Sequence, residues 1–335
     1  TLIFGHEQAN QEREAKEVLA MQRFLTEGAW KHEDVQREVQ AVFAEEFASA
    51  GEHGVVLAVD EAGFIKKGEH SVGVARQYCG RLGKVENCQV GVFVAGVAGS
   101  ARALLEHQLY LPESWAEDQG RRETVRVPAE IEMRTKPEIS LDLVRRILSN
   151  GLVKPRWVTA DELYGKDQKW RDGIDQLGLW YVAEVPKNKS VWLSCEWLGD
   201  DLRPRRAHAR AQDTWLRSVS QLAQQADDAD WHTILLRNDG AGEPLVCEFA
   251  FFSVWDSRND RQNGPPVWVI VRRSLAHDDY KYFLSNAPRE TPVETLAAIS
   301  THRHRVEQLF GDCKGEFGMT DYEARGSHSW HHHMS

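Results

Sequence analysis

Residues 55–79 read VVLAVDEAGFIKKGEHSVGVARQYC, and in this stretch Asp60 and Glu61 come directly after a run of Val, Leu and Ala that belongs in a core. An apolar run bounded by charge is the pattern of a buried strand, and its last residue is where the chain leaves the core. Asp60 is therefore expected at a strand end, where α/β proteins tend to place their chemistry. A strand-end carboxylate also starts turns and caps the next element, and for this acid alone that plainer explanation is preferred.

Working outward, residues 10–49 carry two amphipathic patterns, EREAKEVLAMQRFLTEG and HEDVQREVQAVFAEEFASAG, which predict two helices. From 54 to 111 the pattern shortens to β-rich runs (GVVLAVD, SVGVARQYC, CQVGVFVAGVAG, ALLEHQLYLP), a meander of three strands and a further extended segment. KPEISLDLVRRILSNG predicts a helix stopped by Gly151. PRWVTADELYG predicts a second buried strand ending in acids, Asp161 and Glu162; a helix over KDQKWRDGIDQLGL and a strand over WYVAEVPKN come next. Three strands, helix, strand, helix, strand is the order of a ribonuclease H-like mixed sheet flanked by helices. A tryptophan- and β-rich block then interrupts the alternation. The expected organisation is an N-terminal helical segment (1–52), a first part of the core (53–189), a β-rich insertion (190–288) and a C-terminal core helix and tail (289–335).

The 335 residues are 41% hydrophobic, enough for a substantial core. No run of eighteen apolar residues and no basic-then-apolar leader is visible, so no membrane span is expected and the cytoplasm is the expected compartment. The chain opens on Thr1 rather than Met, as an excised or processed piece of something longer would. Five scattered cysteines without a C-x-x-C pair argue against a disulfide framework or a zinc site. The net charge of −10 is the wrong sign for a nucleic-acid binder, yet RPRRAHAR (203–210), VRRS (271–274) and THRHR (301–305) concentrate positive charge.

TPVETLAAISTHRHRVEQLFGDCKGEFG predicts one long helix opened by a capping box from Thr291 to Glu294. At 100° per residue, Ile299, Val306, Cys313 and Phe317 share an apolar stripe, with Arg303, Glu307 and Lys314 on the neighbouring one. For the helix alone, an ordinary i,i+4 pair explains Arg303 and Glu307. Three acids together alter that judgement: Asp60 and Asp161 end neighbouring strands of such a sheet, and Glu307 lies on a helix that can pack beside it. Clustered carboxylates repel unless cations neutralise them. Oxygen-only ligation suits two Mg²⁺ or Mn²⁺ ions and phosphoryl transfer on a phosphodiester.

The ordered motifs VDEAGFIKKG, GVARQYCG, NCQVGVFVAG, LYLPESW, TKPE, ADELYG, VPKN and RVEQLFGDCKGEFGMTDYEAR resemble the DDE transposases of bacterial insertion sequences, nearest to the 701-type group of the IS4-like set. The resemblance runs from about residue 52 to the C-terminus. It implies a metal-binding catalytic triad of Asp60, Asp161 and Glu307, with the β insertion between the second and third acids. Arg303, Glu307 and Lys314 match the spacing of the Tyr-x-x-Arg-x-x-x-Glu-x-x-x-x-x-x-Lys signature of cut-and-paste relatives, with Ser300 at the Tyr position. It further implies that Arg303 and Lys314 hold phosphates near the cut, that the partners are double-stranded transposon ends and target DNA, that the active complex is a homodimer, and that the protein works in a bacterial cytoplasm at the nucleoid. Arg305, Lys66 and Lys67 are further candidate DNA contacts, although a surface turn accounts for the two lysines equally well. In some relatives a tryptophan of the insertion stacks on a flipped base; Trp215, Trp231, Trp255 and Trp268 are candidates, Trp255 and Trp268 foremost, against core packing as the commoner role. The terminal HSWHHHMS resembles a Trp-His-rich stretch of the family rather than a zinc site. Three other functions fit less fully: a DNA-binding descendant that has lost mobility, a metal-dependent nuclease that cuts without joining, and a two-carboxylate glycosidase, which leaves the third acid without a role.

Overall fold

The computed structural model describes residues 16–47, 49–193, 215–236, 245–258, 262–274, 279–321, 323 and 325–335. Cys195 and the basic segment 203–210 lie outside the described residues. Two helices lead in, α1 (16–27) and α2 (His32–Phe47), in agreement with the two amphipathic patterns. The strands β1 (Val55–Ile65), β2 (Ala75–Cys79), β3 (Lys84–Ala98) and β4 (Ala101–Leu109) come next, then the short helices α3 (Glu113–Ala116) and α4 (Gln119–Thr124). After them stand α5 (Lys136–Asn150), β5 (Pro155–Ala160), α6 (Glu162–Gly165), α7 (Gln168–Gln176) and β6 (Trp180–Val185).

The first strands do not form a simple meander. Fifteen-residue β3 is the hub: one edge pairs antiparallel with β1, and the other pairs first with β2 and then with β4. The free edge of β1 takes β5 in parallel, and β5 takes β6 in parallel. Helix α5 forms where its sequence predicts, because Thr135 and Glu138 close a capping box at one end and Gly151 adopts φ 69° at the other.

The β-rich block continues this sheet. It comprises β7 (Ser190–Leu193), β8 (Leu216–Ser218), α8 (Val219–Gln225), β9 (Trp231–Leu236), β10 (Leu245–Arg258), β11 (Gln262–Ser274) and β12 (Tyr280–Ser285). β12 hydrogen-bonds to β6, giving the order β2-β3-β1-β5-β6-β12-β11-β10-β7-β8, with β4 on β3 and β9 on β10. The result is a mixed α/β fold with one large, mostly antiparallel sheet flanked by helices. A buried clasp ties α7 to this arm: Arg171 and Lys189 both pair with Asp256, at 2.8 and 2.7 Å.

Both faces of β1 are covered, which explains its unbroken apolar run. Leu57 and Val59 pack with Leu143, Val144 and Ile147 of α5. Ala58 and Ala62 pack with Val306 and Phe310, from the far end of the chain. That end is two helices, α9 (Val293–Thr301) and α10 (Arg303–Gly315), not the single one expected, and α11 (Ser327–Met334) lies beyond them. The break has a local cause. Ser300 and Thr301 donate their hydroxyls to the carbonyls of Ala297 and Ala298, and the His302 ring also meets Ala298 O at 2.9 Å, so side chains compete for the carbonyls that would continue the helix. The expected capping box is absent too: Pro292 is the N-cap of α9 and no side chain caps it. The apolar stripe divides accordingly. Ile299 packs against β5, β6 and β11 residues, Val306 packs under β1, and Phe317, past the end of α10, is 79% exposed. The terminal histidines are core material: His331 and His332 are buried, His331 stacked on His32 and His332 on Trp30.

Candidate metal centre

The parallel contact between β1 and β5 ends at Val59 and Ala160. Asp60 is thus not the end of β1, as expected, because β3 still pairs with it beyond that point, opposite Phe93. It sits instead where its other neighbour stops. Side chains alternate along a strand, so Asp60 shares the face of Ala58 and Ala62, on the α10 side, while Glu61 shares that of Leu57 and Val59, on the α5 side. As β5 ends, Asp161 becomes the N-cap of α6, its Oδ1 accepting from the Leu163 amide at 2.9 Å. With no strand between them, Asp60, Glu61 and Asp161 converge, one oxygen of each lying within 4.8 Å of the others.

This convergence is electrostatically costly. Burial pushes the Asp60 carboxyl up to about 7; Asp161 and Glu61 add to the rise, while Arg303 and the hydrogen bond from the Glu61 amide oppose it. Burial, then Glu61, also raises Asp161, against Arg303. Glu61 is fixed from the other face by two donors at 3.0 Å each, Lys136 Nζ and the Tyr164 hydroxyl. Burial, reinforced by the three acids, holds that fully buried phenol well above its ordinary range, so it donates to Glu61 and stays protonated.

Glu307 is not one of the three converging carboxylates. It lies on α10 with 47% of its side chain exposed, pairing with Arg303 at 3.2 Å and His304 at 3.4 Å. Arg303 links it to the cluster. Burial works against the guanidinium charge, but Asp60, Asp161, Glu307 and Glu184 outweigh it and raise the group above its ordinary value. Arg303 also pairs with Glu184 of β6 at 3.2 Å, and Lys281 of β12 pairs with the same carboxylate at 3.2 Å. These residues, with Arg272 and Arg305, line an open groove of about 1050 Å³; Asp60, Glu61 and Asp161 are not among its lining residues, and Arg303 is the link between groove and cluster.

The other candidates are dispersed. Lys314, in the last turn of α10, lies over the Phe310 ring at 5.3 Å. Lys66 and Lys67 come just after β1 and are not among the residues that line the groove; burial lowers the Lys66 amine, and Glu323 opposes this. Trp255 faces Trp192 across β10 and β7, and Trp268 is partly buried and donates to Pro288 O at 3.2 Å. Trp215 packs against the main core, and Trp231 lies under Arg273 at 3.9 Å. None of the four lines the groove. Sequence reasoning missed Glu61, Lys136, Tyr164, Glu184 and Lys281. The first three stand inside VDEAGFIKKG, TKPE and ADELYG, whose joint resemblance to the family was the available signal.

A family described as DDE superfamily endonuclease matches residues 9–243. The chain belongs to the DDE superfamily endonucleases. The matched span holds Asp60, Glu61 and Asp161; Glu307 lies beyond it. A relative named "Probable transposase for insertion sequence element IS701", from Microchaete diplosiphon, is 36% identical over 138 residues, 41% of this chain and 33% of that protein. The chain thus spans about a third of the length of this relative. For a DDE endonuclease the converging carboxylates are the expected cradle of divalent cations, and the residues present fit: all donors are hard oxygens, and burial has raised Asp60 in a way that a cation would reverse. No helix among the described residues is long and apolar enough to cross a membrane.

Proposed function

We propose that the chain is the catalytic core of an insertion-sequence transposase, cutting DNA at transposon ends and joining the freed 3′-hydroxyl to target DNA. The observation that carries the reading is the meeting of Asp60, Glu61 and Asp161, linked through Arg303 to a groove lined by Arg272, Lys281, Arg303 and Arg305. Asp60 and Asp161, completed by Glu307 from α10, would hold two Mg²⁺ or Mn²⁺ ions. Bound there, such ions activate the attacking oxygen and stabilise the leaving one in phosphodiester chemistry. The protein's own part is positional. Lys136 and Tyr164 fix Glu61 against Asp60, the α6 amide orients Asp161, and Arg303 offers a planar fork to a phosphate near the cut.

On this reading β1, β3, β5 and β6 with α5, α7 and α10 form a ribonuclease H-like core, and the strands from β7 to β12 are the insertion between the second and third acids. Lys314 and Arg305 would track the DNA backbone further along, with Lys66 and Lys67 at the periphery and Trp255 or Trp268 available for an extruded base. Two ends handled together call for a homodimer, working on double-stranded DNA at the bacterial nucleoid. A second reading, cleavage without joining, draws on the family description, which names an endonuclease. The test is incubation with Mg²⁺, a labelled duplex bearing the element's ends, and a target plasmid. Cut duplex joined to plasmid supports the transposase; cut duplex alone supports the endonuclease; intact duplex in both Mg²⁺ and Mn²⁺ refutes both.

A further inference from the structure

The floor of the groove contains an anion that belongs to the protein. Register places Lys281 of β12 opposite Arg272 of β11, and Phe283 opposite Glu184 of β6, so these side chains share one face of the sheet. There the Glu184 carboxylate receives Lys281 Nζ on both of its oxygens at 3.2 Å, and Arg303 Nη1 on one of them at 3.2 Å. All three side chains are partly open to solvent, at 31%, 22% and 16% exposure for Lys281, Arg303 and Glu184. An ammonium and a guanidinium brought from separate elements onto one oxyanion is the arrangement by which proteins hold a phosphate. The groove is also balanced in charge: Arg272, Lys281, Arg303 and Arg305 face Glu52, Glu184, Glu294 and Glu307.

We infer that Lys281 and Arg303 form a seat for a backbone phosphate of DNA, and that Glu184 fills this seat as a phosphate surrogate until DNA displaces it. The inference rests on the nuclease reading above for the identity of the ligand, and it adds two residues, Lys281 and Glu184, to the groove. Glu184 acts as a selectivity device. A single phosphate contact cannot outcompete a tethered carboxylate, whereas a duplex that engages the groove at several points can, so chance encounters are released. It also reconciles a net charge of −10 with a nucleic-acid substrate, since binding is to a cradle that is neutral until opened.

The test is fluorescence anisotropy with a fluorescein-labelled 20-base-pair duplex in EDTA, over a salt series, for the wild type, Glu184→Gln and the double variant Glu184→Gln/Lys281→Met. Glu184→Gln is expected to bind about tenfold tighter at low salt, with a salt slope steeper by about 0.9 as the freed seat neutralises one phosphate. The double variant is expected to lose at least half of that gain. Thermal melts confirm that each variant is folded; if Glu184→Gln is not, Glu184→Ala takes its place. Unchanged affinity and slope in the folded glutamate variant overturn the seat, as does a full gain kept without Lys281. The outcome separates from the functional reading: tighter binding without any metal-dependent cutting leaves the seat standing and removes the nuclease, and cutting with unchanged binding does the reverse.

Discussion

A cluster of acids built for cations should weaken the protein that carries it until cations arrive, and Asp60→Asn measures by how much. The Asp60 carboxyl rises from its ordinary 3.8 to about 7 in the folded chain, chiefly through burial, and only 8% of the residue is exposed. At 1.36 kcal/mol per pH unit, that rise corresponds to a ceiling of about 4 kcal/mol of strain in the ionised form. Rearrangement of Arg303 and entry of water reduce the ceiling, to roughly 1–3 kcal/mol. The sign comes from the proton balance. Between pH 3.8 and 7 the folded state holds a proton that the unfolded state has released, so stability falls as pH rises through this window and stays low above it. Asparagine keeps the acceptor for the Glu61 amide and removes the charge. Urea unfolding in EDTA at pH 8 should therefore find Asp60→Asn more stable than the wild type by that amount, and at pH 4 nearly equal to it. Saturating Mg²⁺ should stabilise the wild type and narrow the gap. A variant less stable than the wild type at pH 8, or a gap that does not change between pH 4 and 8, would refute the reasoning.

Other perturbations draw on the same geometry. Lys136→Met removes the charged one of the two 3.0 Å donors to Glu61, at 16–18% exposure, and should cost about 1–2 kcal/mol in EDTA and less in Mg²⁺, read by urea midpoints under both conditions. Burial lowers His107 to about 3, so its contribution is complete above pH 6.5 and lost as pH falls below it; the wild type should lose about 2 kcal/mol between pH 7 and 5 that His107→Gln does not lose, measured as the difference in unfolding free energy. A Cβ on Gly165 would stand 2.0 Å from the Glu184 carbonyl oxygen, so Gly165→Ala should destabilise by about 1–3 kcal/mol in thermal melts. Phe317→Ser, at a position 79% exposed, should stay within about 0.5 kcal/mol of the wild type in the same melts.

The elements that carry two buried faces or explicit caps were legible in sequence. β1 announced itself by an unbroken apolar run, and α5 by its helical periodicity and the stop at Gly151; the capping box of Thr135 and Glu138 emerged with the structure. The hub role of β3 was not legible, because pairing partners are set by strand length and by long-range packing rather than by local pattern. The break at His302 was hidden for a related reason: helical periodicity continues through it, and only the hydroxyls of Ser300 and Thr301, turned back on their own helix, interrupt the ladder. At the site, Asp60 and Asp161 were found from strand ends and family motifs. Glu61, next to Asp60, received no role from the sequence, and alternation places it on the opposite face of β1; the early end of β5 is what lets an acid from each face reach Asp161. Lys281 and Glu184 come from strands nearly a hundred residues apart, and only the β6–β12 pairing makes them neighbours.

The most direct test of the central claim is metal-dependent cutting of labelled duplex DNA by the wild type, Asp60→Asn, Asp161→Asn and Glu307→Gln, each shown to be folded by circular dichroism. The predicted result is cutting by the wild type in Mg²⁺ or Mn²⁺, none in EDTA, and a loss of at least about a hundredfold in rate for each variant, about 2.7 kcal/mol or more of transition-state stabilisation. Equal rates in the wild type and the two aspartate variants would contradict it.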